Sequence, residues 1–496
     1  MDLLLFLRTV KHLKPTQVLY QFRNRLIRPE FVEMESPACN IPGIKSEPIP
    51  KYKSIEGEVF NFLNLENEFA GWNYTANGML WAYNQNYFDW INQDGYSKEE
   101  GCKWIDKFIA DLSFNKVGLD PYPIALRSIN WMKFFCRYPD TATKHRYDSL
   151  YSQLKLLEKK LEYHLLGNHL LEDAFALYIG AVFFDDNRLL MRAENLLLAQ
   201  LKEQILPDGA HYEQSPMYHC ILLDRLLDCI NFSNNTDNTN FAKIKQYAVK
   251  MLGHLESIVW EDCSIPMLND SANDIAPTPI QLFDYARRIG LSWEPKQLKD
   301  CGYRKMSLEG IEAIIDVGNI TASYQPGHSH ADTLSYELRI NGIPVVVDTG
   351  ISTYNPTERR QYERSTSAHN CVCVEGKNSS EVWGGFRVGK RCKSQIITDE
   401  KLHVIASHNG YDKPCVREFQ INQKEFIISD RYKGNAVSYI HLAPGVSPDV
   451  VHVEHAKNVE ICEDMVSDTY NTFRDTKCLK IYFNDYCTYK IISNIK

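Results

Sequence analysis

The chain has 496 residues, of which 44% are hydrophobic and 24% are charged, and its formal net charge is −8. This length predicts two or three domains, and the composition is typical of a soluble protein with enough apolar residues for large cores. The acidic balance gives no support to nucleic-acid binding, and we predict no nucleic-acid partner.

The cysteines and the first residues both bear on the cellular compartment. The 14 cysteines are scattered and form no C-x-x-C pair, which indicates reduced thiols in a reducing compartment. The apolar run Leu3–Leu7 follows no basic residue and is shorter than the apolar core of a signal peptide. No stretch approaches the roughly 20 apolar residues that span a bilayer. We therefore predict a cytoplasmic protein, with membrane association as an option.

Residues 1–57 are predicted to be a basic segment followed by a linker. Apolar residues recur at helical spacing in residues 1–28, and six Lys and Arg side chains stand against one acid, Asp2. Two interpretations stay open. Either an amphipathic helix makes peripheral contact with an anionic membrane surface, or it packs on the main body with its basic face in solvent. Residues 36–57 are rich in proline and are predicted to be irregular.

Residues 58–305 are predicted to form an all-α domain. Apolar residues recur at spacings of three and four, and connectors rich in Pro, Gly, Asp and Asn separate the periodic segments. Consecutive helices of this length pack as antiparallel hairpins, in a bundle, a solenoid or a closed toroid. The clearest predicted helices are Ile124–Tyr138, Tyr147–Leu165, Leu170–Phe184, Leu189–Ile205, Ser215–Phe232 and Phe241–Val259.

Residues 306–496 are predicted to form a second, all-β domain. Short runs rich in β-branched residues alternate with turns, which is typical of a sandwich of antiparallel sheets. No motif was assigned to residues 450–496. The predicted strands include Ile311–Val317, Asn319–Tyr324, Leu334–Ile340, Ile343–Asp348, Cys371–Val374, Ser394–Ile397, His403–Ser407, Glu418–Ile421, Glu425–Asp430 and Ser438–Leu442.

Two polar motifs interrupt the helical half. In the first, Gly167 breaks a helical pattern and is followed by Asn168 and His169. Asn168 is either a functional amide or an ordinary N-cap of the next helix. The second motif runs from Asp208 to His219, where Pro216 suits a first helical turn. Its tyrosines Tyr212 and Tyr218 are either functional or half-buried structural side chains.

The β half carries a histidine-rich turn. His328 and His330 are two residues apart, so they point to the same face of an extended chain. Asp348 ends one predicted strand and His369 opens another. If these strands are neighbours, then His330, Asp348 and His369 converge, and imidazoles with a carboxylate suit zinc or a similar divalent cation.

A charged loop lies between these two strands. It alternates arginine with acidic and aromatic residues, which is the pattern either of a surface that binds an acidic substrate or of a solvated loop. The residues concerned are Arg359, Arg360, Tyr362 and Arg364.

Together these motifs resemble the heparinase II/III family of polysaccharide lyases, over roughly residues 60–450. The resemblance implies an incomplete (α/α) toroid followed by an antiparallel β-sandwich, with the active site in a cleft between them. It also implies a carbon–oxygen lyase that cleaves an acidic, uronic-acid-containing polysaccharide or oligosaccharide by β-elimination. The motifs that carry it are Gly167–His169, Tyr212–His219, Gly327–Asp332 and Arg364–Asn370.

The resemblance also implies roles for individual residues. Asn168 would neutralise the uronate carboxylate, Tyr218 would act as the acid and in one version also as the base, and His328 would be the partnering base or a donor to the carboxylate. The remaining catalytic candidates are His169 and Tyr362. The implied substrate-binding residues are Tyr212, Glu213, Gln214, Arg360 and Arg364, and the implied ligands of a structural zinc are His330, Asp348 and His369.

The setting of the reaction is less closely specified. Relatives that degrade extracellular polymers carry export signals, whereas the start of this sequence resembles relatives associated with the assembly of surface polysaccharides. We therefore expect a role in surface-polysaccharide metabolism. Two alternatives remain at this point: a glycan-binding or tailoring protein on the same scaffold, and a hydrolase in which a metal held by His330, Asp348 and His369 activates water.

Overall fold

The computed structural model describes residues 3–37, 41–233 and 238–492. Two helices open the chain, α1 (Leu3–Val10) and α2 (Pro15–Leu26), and Pro15 occupies the first turn of α2, where its missing N–H costs nothing. An extended segment follows and lies along the helical domain, where the backbone N–H of Met34 donates to Ser152 Oγ at 2.8 Å. None of the described helices is long and apolar enough to cross a membrane.

A small antiparallel sheet follows this segment, built from β1 (Ile55–Glu56), β2 (Val59–Phe62) and β3 (Leu65–Glu68). The domain predicted to span residues 58–305 therefore begins with short strands, and its helices start at Met79. Phe60 and Phe62 alternate inward along β2 and pack edge-on against tryptophans of the helical domain. The sheet thus covers one end of the helical core.

The helical domain has two concentric layers. Helices α3, α5, α7, α9 and α11 contact one another in turn, while α4, α6, α8 and α10 pack outside them. Nearly all residues of α7 are themselves buried, on every face of the helix, as expected for a helix of the inner layer. The helices are α3 (Met79–Tyr87), α4 (Lys98–Asp111), α5 (Pro121–Arg137), α6 (Lys144–Lys160), α7 (Gly167–Phe183), α8 (Asn187–Gln204), α9 (Pro216–Phe232), α10 (Thr239–Ile258) and α11 (Pro279–Arg288).

The chain changes from helices to strands between Arg288 and Tyr303. The first strand, β4 (Tyr303–Leu308), pairs with β5 (Ile311–Asp316), β6 (Tyr336–Ile340) and β7 (Ile343–Val346) in a four-stranded antiparallel sheet. The boundary predicted at residue 306 therefore falls inside β4. The predicted strand at residues 319–324 is wrong, because this stretch is a loop that carries the chain towards the helical domain.

A second, eight-stranded sheet faces the first. Its strands run in the order β11-β12-β13-β14-β17-β15, with β8 also paired to β14 and β16 to β17. Apolar residues of both sheets, such as Leu338 and Phe419, join one buried core, so the domain is a sandwich. The remaining elements are α12 (Glu358–Glu363), β8 (Val372–Cys373), β9 (Val382–Trp383), β10 (Arg387–Val388), β11 (Ser394–Glu400), β12 (His403–His408), β13 (Cys415–Ile421), β14 (Glu425–His441), β15 (Val451–Glu454), β16 (Asn458–Val466) and β17 (Arg474–Ile492).

Candidate active site

A cleft of about 760 Å³ lies between the helical domain and the sandwich. Its wall combines the first turns of α7 and α9 with the loop that carries His328 and the loop that carries Tyr354. Side chains from the two domains therefore face each other across the cleft.

Asn168 is held rigidly at the start of α7. Its backbone N–H and its side-chain Nδ2 both donate to the carboxylate of Glu213, at 3.0 and 2.8 Å. Gly167 precedes it with φ +61°, and a Cβ there would lie 2.4 Å from Glu213 Oε1, so only glycine fits. The N-cap interpretation is wrong, because α7 begins at Gly167 and Leu166 occupies the N-cap position. Asn168 Nδ2 lies 3.3 Å from His328 Nε2.

Tyr218 lies in the first turn of α9. Ser215 caps this helix by accepting a hydrogen bond from the Tyr218 backbone N–H, and Pro216 fills the first position, as predicted. The phenol ring stacks on the His328 imidazole with 3.9 Å between ring centroids. The Tyr218 hydroxyl accepts a hydrogen bond from the Tyr354 hydroxyl at 3.4 Å. Burial raises the pKa of Tyr218 above its ordinary value, so the hydroxyl keeps its proton at neutral pH.

Asp270 is a buried carboxylate that no sequence motif indicated, and it holds two histidines and an arginine of the site in place. It accepts hydrogen bonds from His328 Nδ1 at 2.9 Å and from His330 Nε2 at 2.8 Å. Arg360 donates to both of its oxygens, at 2.5 and 2.7 Å. Burial alone would raise the pKa of Asp270, but the Arg360 guanidinium holds it well below its ordinary value. Because Nδ1 of His328 donates its hydrogen bond to Asp270, Nε2 is the ring nitrogen that faces Asn168 and the cleft.

His169 lies on the wall of the same cleft. Its Nδ1 donates to Glu162 at 3.1 Å, and its ring packs on Tyr122 with 4.6 Å between centroids. Burial would lower the pKa of His169, but the Glu162 carboxylate raises it above its ordinary value. His169 thus supplies a partly exposed, readily protonated imidazole beside Asn168.

The residues that the resemblance assigned to substrate binding have structural roles. None of these five residues is among the described residues that line the cleft. Glu213 holds Asn168, and Arg360 holds Asp270. The Tyr212 hydroxyl bonds to that of Tyr324 at 2.9 Å, Gln214 Nε2 donates to the Cys301 carbonyl at 2.7 Å, and Arg364 donates to backbone carbonyls including Ser329.

The structure does not bring Tyr362, the predicted second catalytic tyrosine, to the cleft. Tyr362 lies outside the wall of the cleft that the described residues form, and its hydroxyl donates to Asp464 at 3.4 Å. Tyr354, eight residues earlier, reaches the Tyr218 hydroxyl instead. An alternating pattern of charge and aromatic residues does not distinguish these two tyrosines, because only the path of the loop decides which one enters the cleft.

The predicted zinc ligands are close together but do not form one coordination sphere. His369 Nδ1 donates to Asp348 at 2.7 Å, and the rings of His330 and His369 are 5.1 Å apart, yet His330 turns its Nε2 to Asp270. His330 Nδ1 and His369 Nε2 are buried with no hydrogen-bond partner among the described residues. The donor types therefore suit zinc, but the three residues are not among the described groups whose ligand atoms lie within 4.8 Å of one another.

Two other groups among the described residues place a histidine, an aspartate and a cysteine ligand atom within 4.8 Å of one another. The first is fully buried between the helical domain and the start of the sandwich, and the second lies on the large sheet. These groups are Asp208, His254 and Cys301, and His441, Asp464 and Cys478.

Comparison with known proteins decides the family. The model described as the heparinase II/III N-terminus matches residues 136–285, and the one described as heparinase II/III-like, C-terminal, matches residues 291–478. The chain belongs to the heparinase II/III family. The predicted fold class of this family, a helical toroid followed by an antiparallel β-sandwich, is confirmed.

Two curated relatives of this chain, both heparin-sulfate lyases, are consistent with the family assignment. A heparin-sulfate lyase of Pedobacter heparinus is 24% identical over 348 residues, covering 64% of this chain and 50% of that protein. Another, of Bacteroides thetaiotaomicron, is 28% identical over 134 residues, covering 26% of this chain and 18% of that protein. This chain therefore spans half the length of the Pedobacter relative that it matches.

Solved structures share the heparinase fold. A heparinase III crystal structure superposes with a TM-score of 0.64 at 15% identity, covering 86% of this chain and 80% of that one. A mutant heparan sulfate lyase of Pedobacter heparinus superposes with a TM-score of 0.57 at 15% identity, covering 96% and 87%. At this identity the likeness concerns the fold alone.

Proposed function

We propose that this protein is a polysaccharide lyase that cleaves a uronic-acid-containing glycan by β-elimination. The observation that carries the proposal is the meeting of Asn168 Nδ2, His328 Nε2 and the Tyr218 phenol in one cleft between the two domains. The names of the relatives, which are heparin-sulfate lyases, support the same reaction class.

The first step removes the proton at C5 of the uronate. An amide donor facing the substrate carboxylate stabilises the negative charge that develops there. Glu213 accepts one Nδ2 hydrogen of Asn168, and the other faces His328 Nε2 at 3.3 Å in the substrate-free protein. Entry of the substrate transfers this second hydrogen bond to the uronate carboxylate and frees the His328 lone pair. The lone pair of His328 Nε2 takes the C5 proton, because its Nδ1 proton is committed to Asp270. Asp270 then stabilises the imidazolium that forms.

The second step expels the leaving sugar. As the C4–O4 bond breaks, its electrons go to O4 and the C5 carbanion electrons form the C4–C5 double bond. Tyr218 donates its phenolic proton to O4, and the Tyr354 hydroxyl stabilises the phenolate left behind. Proton exchange with solvent in the open cleft then removes the proton from the His328 imidazolium and returns one to the Tyr218 phenolate, which restores both groups.

This geometry favours elimination over the alternative of hydrolysis by a metal-bound water. The described residues that line the cleft do not include His330, Asp348 or His369. A water molecule on a metal bound by these three residues would therefore not reach a glycan in the cleft. We propose a structural role for a zinc ion held by these three residues, in which it would order the turn that carries His328. Their two unpartnered, buried imidazole nitrogens support this role.

The experiment that tests the lyase assignment detects its product. Elimination leaves an unsaturated uronate that absorbs in the ultraviolet, whereas hydrolysis leaves none. A panel of uronic-acid polymers and oligosaccharides is incubated with the protein while absorbance is followed, and mass spectrometry then checks the ends. Cleavage without the unsaturated end would contradict the assignment, as would binding without any cleavage.

Metal analysis of the purified protein tests the zinc proposal separately. We expect about one zinc per chain, and we expect its loss in the variants His369→Ala and Asp348→Ala. A metal-free protein of unchanged thermal stability and activity would show that no structural zinc is needed.

A further inference from the structure

We propose that the cleft is built for a sparsely charged glycan, with one uronate carboxylate at the catalytic centre and unsulfated sugars around it. This inference rests on the proposed function, because it names the substrate class of the same site. It starts from the charges on the cleft wall, which differ from those expected of a site for a densely sulfated chain.

Every Lys and Arg that the described residues contribute to the cleft wall is already paired with a carboxylate. Lys51 contacts Asp89 at 2.9 Å, Lys133 contacts Asp228 at 2.5 Å, and Arg225 contacts Asp224 at 2.8 Å. Lys133 and Arg225 are largely buried, so separating either side chain from its carboxylate would cost substantial free energy. A sulfate entering the cleft would have to separate one of these pairs to gain a cationic partner.

Further carboxylates make the wall still less suited to sulfate. Asp94 and Asp274 line the cleft in addition to Asp89 and Asp224, so four carboxylates stand against three cations. Like charges in a partly desolvated cleft repel each other strongly. The readily protonated His169 on the wall is likewise paired, with Glu162 at 3.1 Å. A sulfated sugar would therefore meet carboxylates, and every cationic group described above already has an anionic partner.

The rest of the wall suits neutral sugar rings. Aromatic side chains contribute flat apolar faces, against which the C–H faces of pyranose rings pack, while hydroxyls and amides remain for the sugar hydroxyls. We place the one uronate carboxylate at the group formed by Asn168, His328 and Tyr218. The aromatic residues are Tyr52, Tyr83, Tyr122, Tyr354, Phe386 and Tyr470.

The test compares two hexasaccharides of alternating hexuronate and N-acetylhexosamine that differ only in sulfation. Binding is measured by calorimetry with the Tyr218→Phe variant, which keeps the stacked ring, so that the result does not depend on turnover. We expect the unsulfated hexasaccharide to bind at least tenfold more tightly than its N- and O-sulfated counterpart. We also expect Asp274→Asn, which removes a carboxylate, to narrow that ratio.

The outcomes separate this inference from the proposed function. Equal or tighter binding of the sulfated hexasaccharide, or binding of neither, overturns the inference. Tighter binding of the unsulfated hexasaccharide supports it even if no polymer gives an unsaturated product with the wild-type protein. The absence of an unsaturated product would contradict the proposed function and would leave the inference about the substrate class intact.

An independent observation concerns the two N-terminal helices, which carry an exposed apolar surface. Leu19, Phe22 and Leu26 of α2 are 63%, 60% and 85% exposed, and Leu3, Leu4 and Leu7 of α1 are exposed as well. No acidic residue occurs in residues 3–28, whereas Lys11, Arg25 and Arg28 are exposed cations. Exposed apolar side chains mixed with cations match the surface of an anionic bilayer.

We infer that α1 and α2 dock the protein on an anionic membrane. The pair is fixed to both domains, because Trp383 Nε1 donates to Thr9 Oγ1 at 3.0 Å and Gln17 Nε2 donates to the Leu165 carbonyl at 3.2 Å. Leu165 also lines the cleft, so α2 is attached beside the cleft. A glycan carried on a membrane lipid would then meet the cleft directly.

Vesicle sedimentation tests the docking. We expect the full chain to pellet with phosphatidylcholine vesicles that contain phosphatidylglycerol, to stay in solution with phosphatidylcholine alone, and to dissociate as salt is raised. The triple variant Leu19→Ser, Phe22→Ser, Leu26→Ser should lose at least nine-tenths of the binding. Its matched control replaces exposed apolar residues elsewhere, Phe114→Ser, Met191→Ser and Ile280→Ser, and should bind like the wild type.

Two results would overturn the docking inference. One is the absence of sedimentation with anionic vesicles. The other is a dimer in analytical ultracentrifugation that the triple variant abolishes, because the apolar surface would then be covered by a second copy of the chain.

Discussion

Asp270 and His328 join the two domains by a hydrogen bond of 2.9 Å between Asp270 Oδ2 and His328 Nδ1. Asp270 comes from the loop between α10 and α11, and His328 comes from the turn between β5 and β6. The bond fixes which imidazole nitrogen faces the cleft. The relative position of the two domains and the orientation of the proposed base therefore depend on the same contact.

Replacing Asp270 should damage both stability and activity. The variant Asp270→Asn leaves the buried Arg360 without its anionic partner, which costs about 3–5 kcal/mol in other proteins when a buried pair is broken. We expect a lower midpoint of urea unfolding and a loss of kcat beyond the loss of folded protein, since His328 also loses the carboxylate that stabilises its imidazolium. The double variant Asp270→Asn, Arg360→Met should recover stability without recovering kcat. Recovery of both would contradict the role of Asp270 in positioning His328.

Removing the Tyr218 hydroxyl should affect chemistry with little effect on folding. The variant Tyr218→Phe keeps the ring stacked on His328 but removes the proposed acid, and general acid catalysis contributes about 10²–10⁴-fold to rates. We expect kcat to fall by that factor, with a thermal midpoint close to that of the wild type. The matched control is Tyr362→Phe, which alters a tyrosine outside the cleft and should keep full activity.

Truncating Asn168 should remove the donor to the substrate carboxylate. Loss of one such donor typically lowers kcat by about 10²–10³-fold. The variant Asn168→Ala should therefore lower kcat far more than it raises KM. Asn84→Ala provides the control, because Asn84 also lines the cleft but gives its amide to the Leu80 carbonyl of its own helix at 2.8 Å. Equal loss in both variants would argue against the assignment.

Glu337 should make the protein less stable as pH rises. Burial raises the pKa of this carboxyl on β6 to about 8, so the folded state binds a proton that the unfolded state releases near its ordinary pKa. The stability from this group is fully present below pH 4.5 and is lost as pH rises to about 8, at about 1.4 kcal/mol per pH unit. The difference in unfolding free energy between wild type and Glu337→Gln should follow this slope and level off above pH 8. Glu58→Gln, at an exposed position, is the control.

Much of the fold was predictable because its signals are local. The inner and outer helices are long and periodic, so their positions followed from apolar spacing, and the motifs around Asn168, Tyr218 and His328 marked the cleft. The sheet at β1–β3 was missed because its strands are only two to four residues long. The long strand β17 was also missed, since three exposed residues in succession, Asn484, Asp485 and Tyr486, interrupt the alternation along it.

The partners of the site residues were harder to predict, because they are distant in sequence. Asp270 is 58 residues from His328, and no periodicity links them. Arg360 and Arg364 lie in a stretch whose charge pattern is typical of a solvated or ligand-binding loop. Both side chains are nevertheless fully buried, where Arg360 binds Asp270 and Arg364 binds backbone carbonyls. Charge patterns record which side chains are present, whereas the tertiary contacts decide whether a charge faces a ligand or a neighbour.

The division of the site between two domains gives the connecting segment between α11 and β4 a practical use. A break in that segment would leave Asn168, Tyr218 and Asp270 on one fragment and His328 on the other. Neither fragment would hold a complete set of proton-transfer groups, and activity would return only when the fragments reassociated. The protein is therefore suited to a split reporter, in which the release of unsaturated sugar measures how often two attached proteins meet.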